Sequence, residues 1–211
     1  MCRMAEHGGS TGCRRFDHLI AVTSRHLCQR PFPEQLERIC RHHPKAVILR
    51  EKDLAEDDYL FFAKDALAIC REHGVRCVLH TFTRAALQLE HPYLHLPLAA
   101  LQKEGGKPDG IRILGSSVHS VSEAQEAERL GADYLTAGHI YATDCKAGVP
   151  PRGLDFLEEV CQSVQIPVYG IGGVQIGSGQ LDEMMVRGAA GACVMSGMMR
   201  LSRFAGSEDT Y

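Results

Sequence analysis

No stretch of this 211-residue chain stays apolar long enough to cross a bilayer. Its first 15 residues are polar and glycine-rich, without the apolar core of a secretory signal. An excess of one charge is also lacking. The formal net charge is −3, with no basic surplus to attract nucleic acid and no polybasic run to attract a membrane surface. Metal-site spacings are missing as well: there is no His-Glu-x-x-His, and no cysteine pair stands at Cys-x-x-Cys spacing. Asp144 has no evident carboxylate partner, so no metal and no cofactor are expected. The nine cysteines are odd in number, and most sit in apolar runs such as VRCVL at 75–79. Thiols placed that way suit a reducing compartment better than a disulfide frame. The expectation is a cytoplasmic protein with neither nucleic-acid nor membrane partners.

What is present fits one ordinary globular domain. Hydrophobic residues make up 45% and charged residues 23% of the chain, and the length suffices for a sizeable core. Short apolar runs alternate with longer amphipathic ones. The runs predict strands at 18–22, 46–50, 76–80, 93–96, 112–116, 134–138, 167–171 and 192–195. Between them, helices are predicted at 32–41, 57–73, 83–89, 98–104, 154–162, 179–187 and 198–204. Another helix is expected to open at Ser122, as an N-cap with Gln125 reaching back, and to end at Gly131. Gly74 closes the second helix. The strand candidates are brief and not alternating, as when both faces are buried. Eight such units predict an α/β fold, a single (β/α)8 TIM barrel over residues 16–204, with a flexible arm at 1–15 and a flexible tail at 205–211. A doubly wound sheet is the rival, but it would place a glycine-rich turn after the first strand, where Thr23, Ser24 and Arg25 stand.

In a barrel the chemistry lies past the carboxyl ends of the strands. Gly172–Gly173 and Ser196–Gly197 follow the seventh and eighth strand candidates, where such barrels often hold phosphate. Glycine lets backbone N–H groups approach an anion, although tight turns alone would also use it. Arg50, Lys52 and Lys146 fall just past strand ends, where an anionic ligand could use them. Arg50 and Lys52 are two apart and share a face of an extended chain. His139 directly follows Gly138 at the end of the sixth strand, and an imidazole there could take and return a proton near neutral pH. It is one of 11 histidines, any of which could be structural.

These residues carry a resemblance. LGSSVHSVSEAQEAERLGADYLTAGHIYATDCKAG at 114–148, YGIGGV at 169–174, GACVMSGM at 191–198 and ILREKDL at 48–54 together resemble the thiamine phosphate synthase/TenI superfamily over roughly 19–202. That superfamily holds two activities. The synthases join a pyrimidine pyrophosphate to a thiazole phosphate with magnesium bound by aspartates after the third and fourth strands. Where their Asn-Asp would stand, this sequence has His80–Thr81, and residues 95–100, HLPLAA, replace the second acidic loop. Ile48 stands for the synthases' glutamine, Cys145 for a threonine and His139 for a proline. The tautomerase branch is similar in carrying Gly-His at that last place. The resemblance thus implies a cofactor-independent thiazole tautomerase with His139 as acid/base. It also implies a substrate site made from Arg50, Lys52, Ser117, Thr143, Lys146, Gly172, Gly173, Met195 and Ser196, with no metal. The implied partner is a small thiazole phosphate. Which cation holds its carboxylate is left open, as are a homo-oligomeric state and the role of His119. Synthase activity and non-catalytic ligand binding are the alternatives.

Overall fold

A computed structural model of the chain describes residues 13–143 and 148–202. Of the segment expected to be an arm, residues 1–12 lie outside this range, and so do Asp144, Cys145, Lys146, Phe204 and the expected tail at 205–211. A 3-10 turn, Cys13–His18, leads into the first strand.

Eight parallel strands form a closed barrel: β1 (Leu19–Val22), β2 (Ala46–Leu49), β3 (Cys77–His80), β4 (Tyr93–Pro97), β5 (Ile113–Val118), β6 (Tyr134–Gly138), β7 (Val168–Ile171) and β8 (Gly191–Val194). Each pairs with the next, and β8 returns to β1 through Leu19–Ala192 and Ala21–Val194. Around them lie α1 (Phe32–Cys40), α2 (Glu56–Glu72), α3 (Thr83–Gln88), α4 (Leu98–Glu104), α5 (Val121–Arg129), α6 (Gly153–Ser163), α7 (Gln180–Val186) and α8 (Ser196–Met199). This is the (β/α)8 TIM barrel that the spacing of apolar runs predicts.

The strands are buried on both faces, so their two-residue period divides them between two interiors. Ile20, Val22, Ala46, Ile48, Val78, Tyr134, Tyr169 and Cys193 fill the barrel. Their neighbours Leu19, Ala21, Val47, Leu49, Cys77 and Leu79 face the helices. The helices answer with stripes at helical spacing. Tyr59, Ala63, Ala66 and Cys70 are the buried side of α2, and their small members let the helix lie close to the strands. Six described cysteines, Cys28, Cys40, Cys70, Cys77, Cys161 and Cys193, are free thiols. Cys40 and Cys70 touch at 3.8 Å as a thiol contact between α1 and α2.

Three sequence expectations are corrected. The cap of α5 is Ser120, not Ser122: its Oγ accepts the Glu123 N–H at 3.1 Å, and Glu123 Oε2 accepts the His119 N–H at 2.6 Å. Ser-x-x-Glu at 120–123 therefore outcompetes the overlapping Ser122-to-Gln125 pattern, because it puts a carboxylate at the positive helix end. Strand β5 runs to Val118 rather than stopping at Ser116. The last helix starts at Ser196, directly after β8, instead of at Met198.

One buried hydroxyl ties the second and third strands at the end that matters. The fully buried Tyr59 donates to the Leu49 carbonyl at 2.7 Å and accepts the His80 N–H at 2.9 Å. Tyr59→Phe strands both backbone groups. It is expected to lower unfolding free energy by about 1–3 kcal/mol, read from the denaturant midpoint at an unchanged m-value.

Candidate active site

The carboxyl ends of the strands open into a cavity of about 1210 Å³. Arg50, Lys52, Ser117, His139, Thr143, Gly172, Gly173, Met195 and Ser196 all line it. The remaining candidate, Lys146, lies outside the described residues.

The strand period explains how the cations reach the cavity. Ile48 points inward, so Arg50 and Lys52 continue on that side while Glu51 turns away. Glu51 is 2% exposed and fully engaged. It accepts from Thr23 Oγ1 at 2.7 Å and from the Arg25 N–H and guanidinium at 3.1 Å each. Thr23 Oγ1 in turn accepts the Arg50 N–H at 2.9 Å. Arg25 and His26 also hold Asp53, whose carboxyl they keep well below the usual carboxylate range. The β2 loop is thus anchored from outside, and its two inward cations line the cavity.

His139 sits directly after β6, is 5% exposed, and follows a cis Gly138–His139 peptide. Its Nε2 lies 3.2 Å from the Val149 carbonyl. A carbonyl only accepts, so Nε2 carries a hydrogen, and in the neutral ring the lone pair is then on Nδ1. The reason for Gly172 and Gly173 is only partly the one the sequence suggests. Both have left-handed φ, 99° and 72°. A Cβ on Gly172 would lie 2.3 Å from His139 Cβ, and one on Gly173 would lie 2.4 Å from the Ala142 carbonyl oxygen. The loops after β6 and β7 are pressed together, and backbone bonds from Ile140 N to Ile171 O and from Tyr141 N to Gly172 O continue the pairing upward.

Three further histidines border the cavity, and sequence reasoning gave none of them a role. His119 is at the mouth, its Nδ1 donating to the Gly138 carbonyl at 2.7 Å. His80 and His95 form the floor, their rings stacked 5.4 Å apart. His95 Nε2 meets Ser117 Oγ at 2.8 Å, His95 Nδ1 meets the Tyr134 hydroxyl at 3.0 Å, and Thr136 donates to Ser117 at 3.2 Å. Ser117 is therefore tied into the floor as well as facing the cavity. The signal was in the parity: His80 lies two beyond the inward Val78, and His95 shares a register with it across β3 and β4.

The residues at the ends of β3 and β4 do not suit a magnesium ion. His80, Pro97, Leu98 and Ala99 line the cavity there, while its described carboxylates, Glu123 and Glu126, belong to α5. Magnesium takes hard oxygen ligands. Among the described residues, no three His, Cys, Asp or Glu side chains gather as a metal site. No helix among them is long and apolar enough to cross a membrane.

Burial holds the floor histidines neutral. Desolvation, His95, Lys52 and Arg50 push His80 well below its ordinary value, and desolvation with Lys52 pushes His95 down to about 3. In the unfolded chain both titrate near 6.5. Between those values the unfolded chain binds more protons, so stability rises with pH and is lost on acidification below about 6.5. Each such histidine adds a slope of about 1.4 kcal/mol per pH unit. His95→Gln should flatten the stability profile between about pH 4 and 6 by that amount, measured by denaturation at a series of pH values.

The family model described as thiamine monophosphate synthase, TMP-TENI, matches residues 19–198. The thiamine-phosphate synthase of Syntrophomonas wolfei is 33% identical over 195 residues, covering 89% of this chain and 91% of that one. Thiamine-phosphate synthase 2 of Streptococcus pneumoniae serotype 4 is 34% identical over 188 residues, 86% of this chain and 87% of its own. Among solved structures, a thiamine phosphate pyrophosphorylase from Pyrococcus furiosus superposes with a TM-score of 0.72 at 28% identity, covering 88% of this chain and 89% of that one.

Proposed function

The chain belongs to the thiamine monophosphate synthase family, and from that membership we propose that it works in thiamine biosynthesis as a thiazole tautomerase. The reaction is the aromatisation of a carboxylated dihydrothiazole phosphate, with His139 as the acid/base. The observation that carries this reading is the state of His139. It is nearly buried at the cavity wall, with Nε2 hydrogen-bonded to a carbonyl, so that Nδ1 is the nitrogen available to exchange a proton.

The chemistry is an isomerisation and balances without a cofactor. The C–H bond at the ring carbon bearing the carboxylate breaks, and its proton goes to His139 Nδ1. The electron pair moves through the ring to the exocyclic alkylidene carbon, which takes a proton back from the imidazolium. The Val149 carbonyl stabilises that imidazolium, since both ring nitrogens are then donors. Arg50 and Lys52 hold the carboxylate and stabilise the charge that gathers on it as the proton leaves. Lys146 is the remaining cation candidate for that task. Gly172, Gly173 and Ser196 take the phosphate, Thr143, Met195 and Ser117 complete the walls, and the ring is thereby fixed relative to His139. The catalytic unit of this reading is the barrel of residues 16–204, and the free thiols among the described residues suit a reducing cytoplasm.

A second reading, the synthase, is favoured by the names of the 33% and 34% identical relatives. Against it stand the apolar lining at the β4 end and Thr81 in the place of the aspartate that the synthases put after β3. A magnesium-dependent coupling assay separates the two, and thiamine phosphate formed at enzymatic rates would overturn the tautomerase. Under the tautomerase reading, His139→Asn keeps its thermal midpoint and its affinity for the aromatic product. Its turnover, followed by proton NMR, falls by about 100-fold or more. Wild-type turnover in that variant removes His139 from the reaction.

A further inference from the structure

His80 is placed to do more than stack. It continues the inward side of β3 and lies beside Arg50, because Ile48–Val78 and Leu49–Leu79 are paired in register. It is 5% exposed, and that exposure faces the cavity it lines. Its Nδ1 is occupied by the Thr81 hydroxyl at 2.6 Å. Its Nε2 has no hydrogen-bond partner among the described residues, yet the one sealed and unpartnered side-chain atom among them is Ser116 Oγ. The free nitrogen of a nearly buried ring therefore opens into the cavity. Thr81 holds its partner nitrogen from a left-handed backbone, φ 73°, costly for a β-branched residue.

We infer that His80 Nε2–H is a recognition group for the substrate carboxylate, converging on it with Arg50 and Lys52. This rests on the tautomerase reading. Placement favours the carboxylate over the phosphate. The phosphate-suited glycines follow β7, four strands away from β3 in an eight-stranded barrel, on the opposite side of the cavity. In the substrate the two anionic groups leave the ring on opposite sides. The electrostatic surroundings also suit a neutral donor: Lys52 and Arg50 already bear on His80 and disfavour a third positive charge. With the Thr81 hydroxyl donating to Nδ1, the neutral ring presents Nε2–H to the cavity, and an anionic oxygen on that side selects this tautomer.

The test compares two ligands by titration calorimetry: the aromatic thiazole phosphate bearing the carboxylate, and the same compound without it. His80→Phe keeps the stacked ring against His95 and loses the donor. It is expected to weaken the carboxylated ligand about tenfold and leave the other within about twofold. His80→Gln restores a donor at similar reach and recovers most of the loss. Should the Phe variant fail to fold, nitrogen-15 NMR of wild-type His80 reads the same point, since the carboxylated ligand alone shifts Nε2 to the hydrogen-bonded donor form. Equal weakening of both ligands, no weakening of either, or a ring signal indifferent to the carboxylate overturns the inference. Neither measurement requires turnover. A protein that discriminates the ligands through His80 but does not aromatise the dihydrothiazole would sink the tautomerase and not this assignment.

Discussion

A strand buried on both sides must alternate its side chains between a barrel interior and a helix layer, and it cannot stop doing so at its last hydrogen bond. That parity aims most of the polar groups that line the cavity, although His139, one residue past the inward Gly138, owes its place to the loop after β6. Ile48 commits Arg50 and Lys52 to the inside and Glu51 to the outside, where Thr23 and Arg25 are waiting for it. Val78 commits His80, and Tyr134 commits Thr136 and Gly138. The hydrophobic pattern that stabilises the barrel is therefore the same pattern that aims the polar groups above it. A one-residue slip of β2 would bury two cations among the helices and swing Glu51 into the cavity.

Much of this was legible in the chain. Eight apolar runs with helical segments between them specify the barrel, and element limits differ mostly by a residue or two. The departures have physical causes. At 120–125 two capping patterns overlap, and only the helix end itself decides which serine accepts from which N–H. The glycines after β7 could be recognised as special but not explained. Their closest neighbours, His139 and Ala142, are some thirty residues away in sequence, and only the paired loops bring them within contact. The floor was missed for a related reason. His80 and His95 are ordinary histidines until β3 and β4 are laid side by side and their rings stack. The sequence drew attention to Thr81 as a lost carboxylate and to His80 only as its neighbour, not as an imidazole in its own right.

That exchange has an electrostatic logic. A cavity with Arg50 and Lys52 on one wall is already favourable for anions. Adding charged histidines below them would cost desolvation and repulsion together, and both effects act to keep His80 and His95 neutral. Neutral imidazoles leave hydrogen-bonding capacity where a metal site would have left charge. The Tyr134–His95–Ser117–Thr136 chain satisfies both ring nitrogens of His95 internally, which leaves His80 as the floor imidazole with a nitrogen to spare.

The contact of Gly172 and Gly173 with residues 139–142 has a consequence for how such barrels diversify. The two loops meet through backbone and Cβ atoms, with no long side chain able to absorb a change. They therefore form one heritable part. A loop carried in after β7 from another barrel would fit here only if it brought its β6 companion with it, and recombination that respects this pairing would transmit the imidazole and the two glycines as a unit.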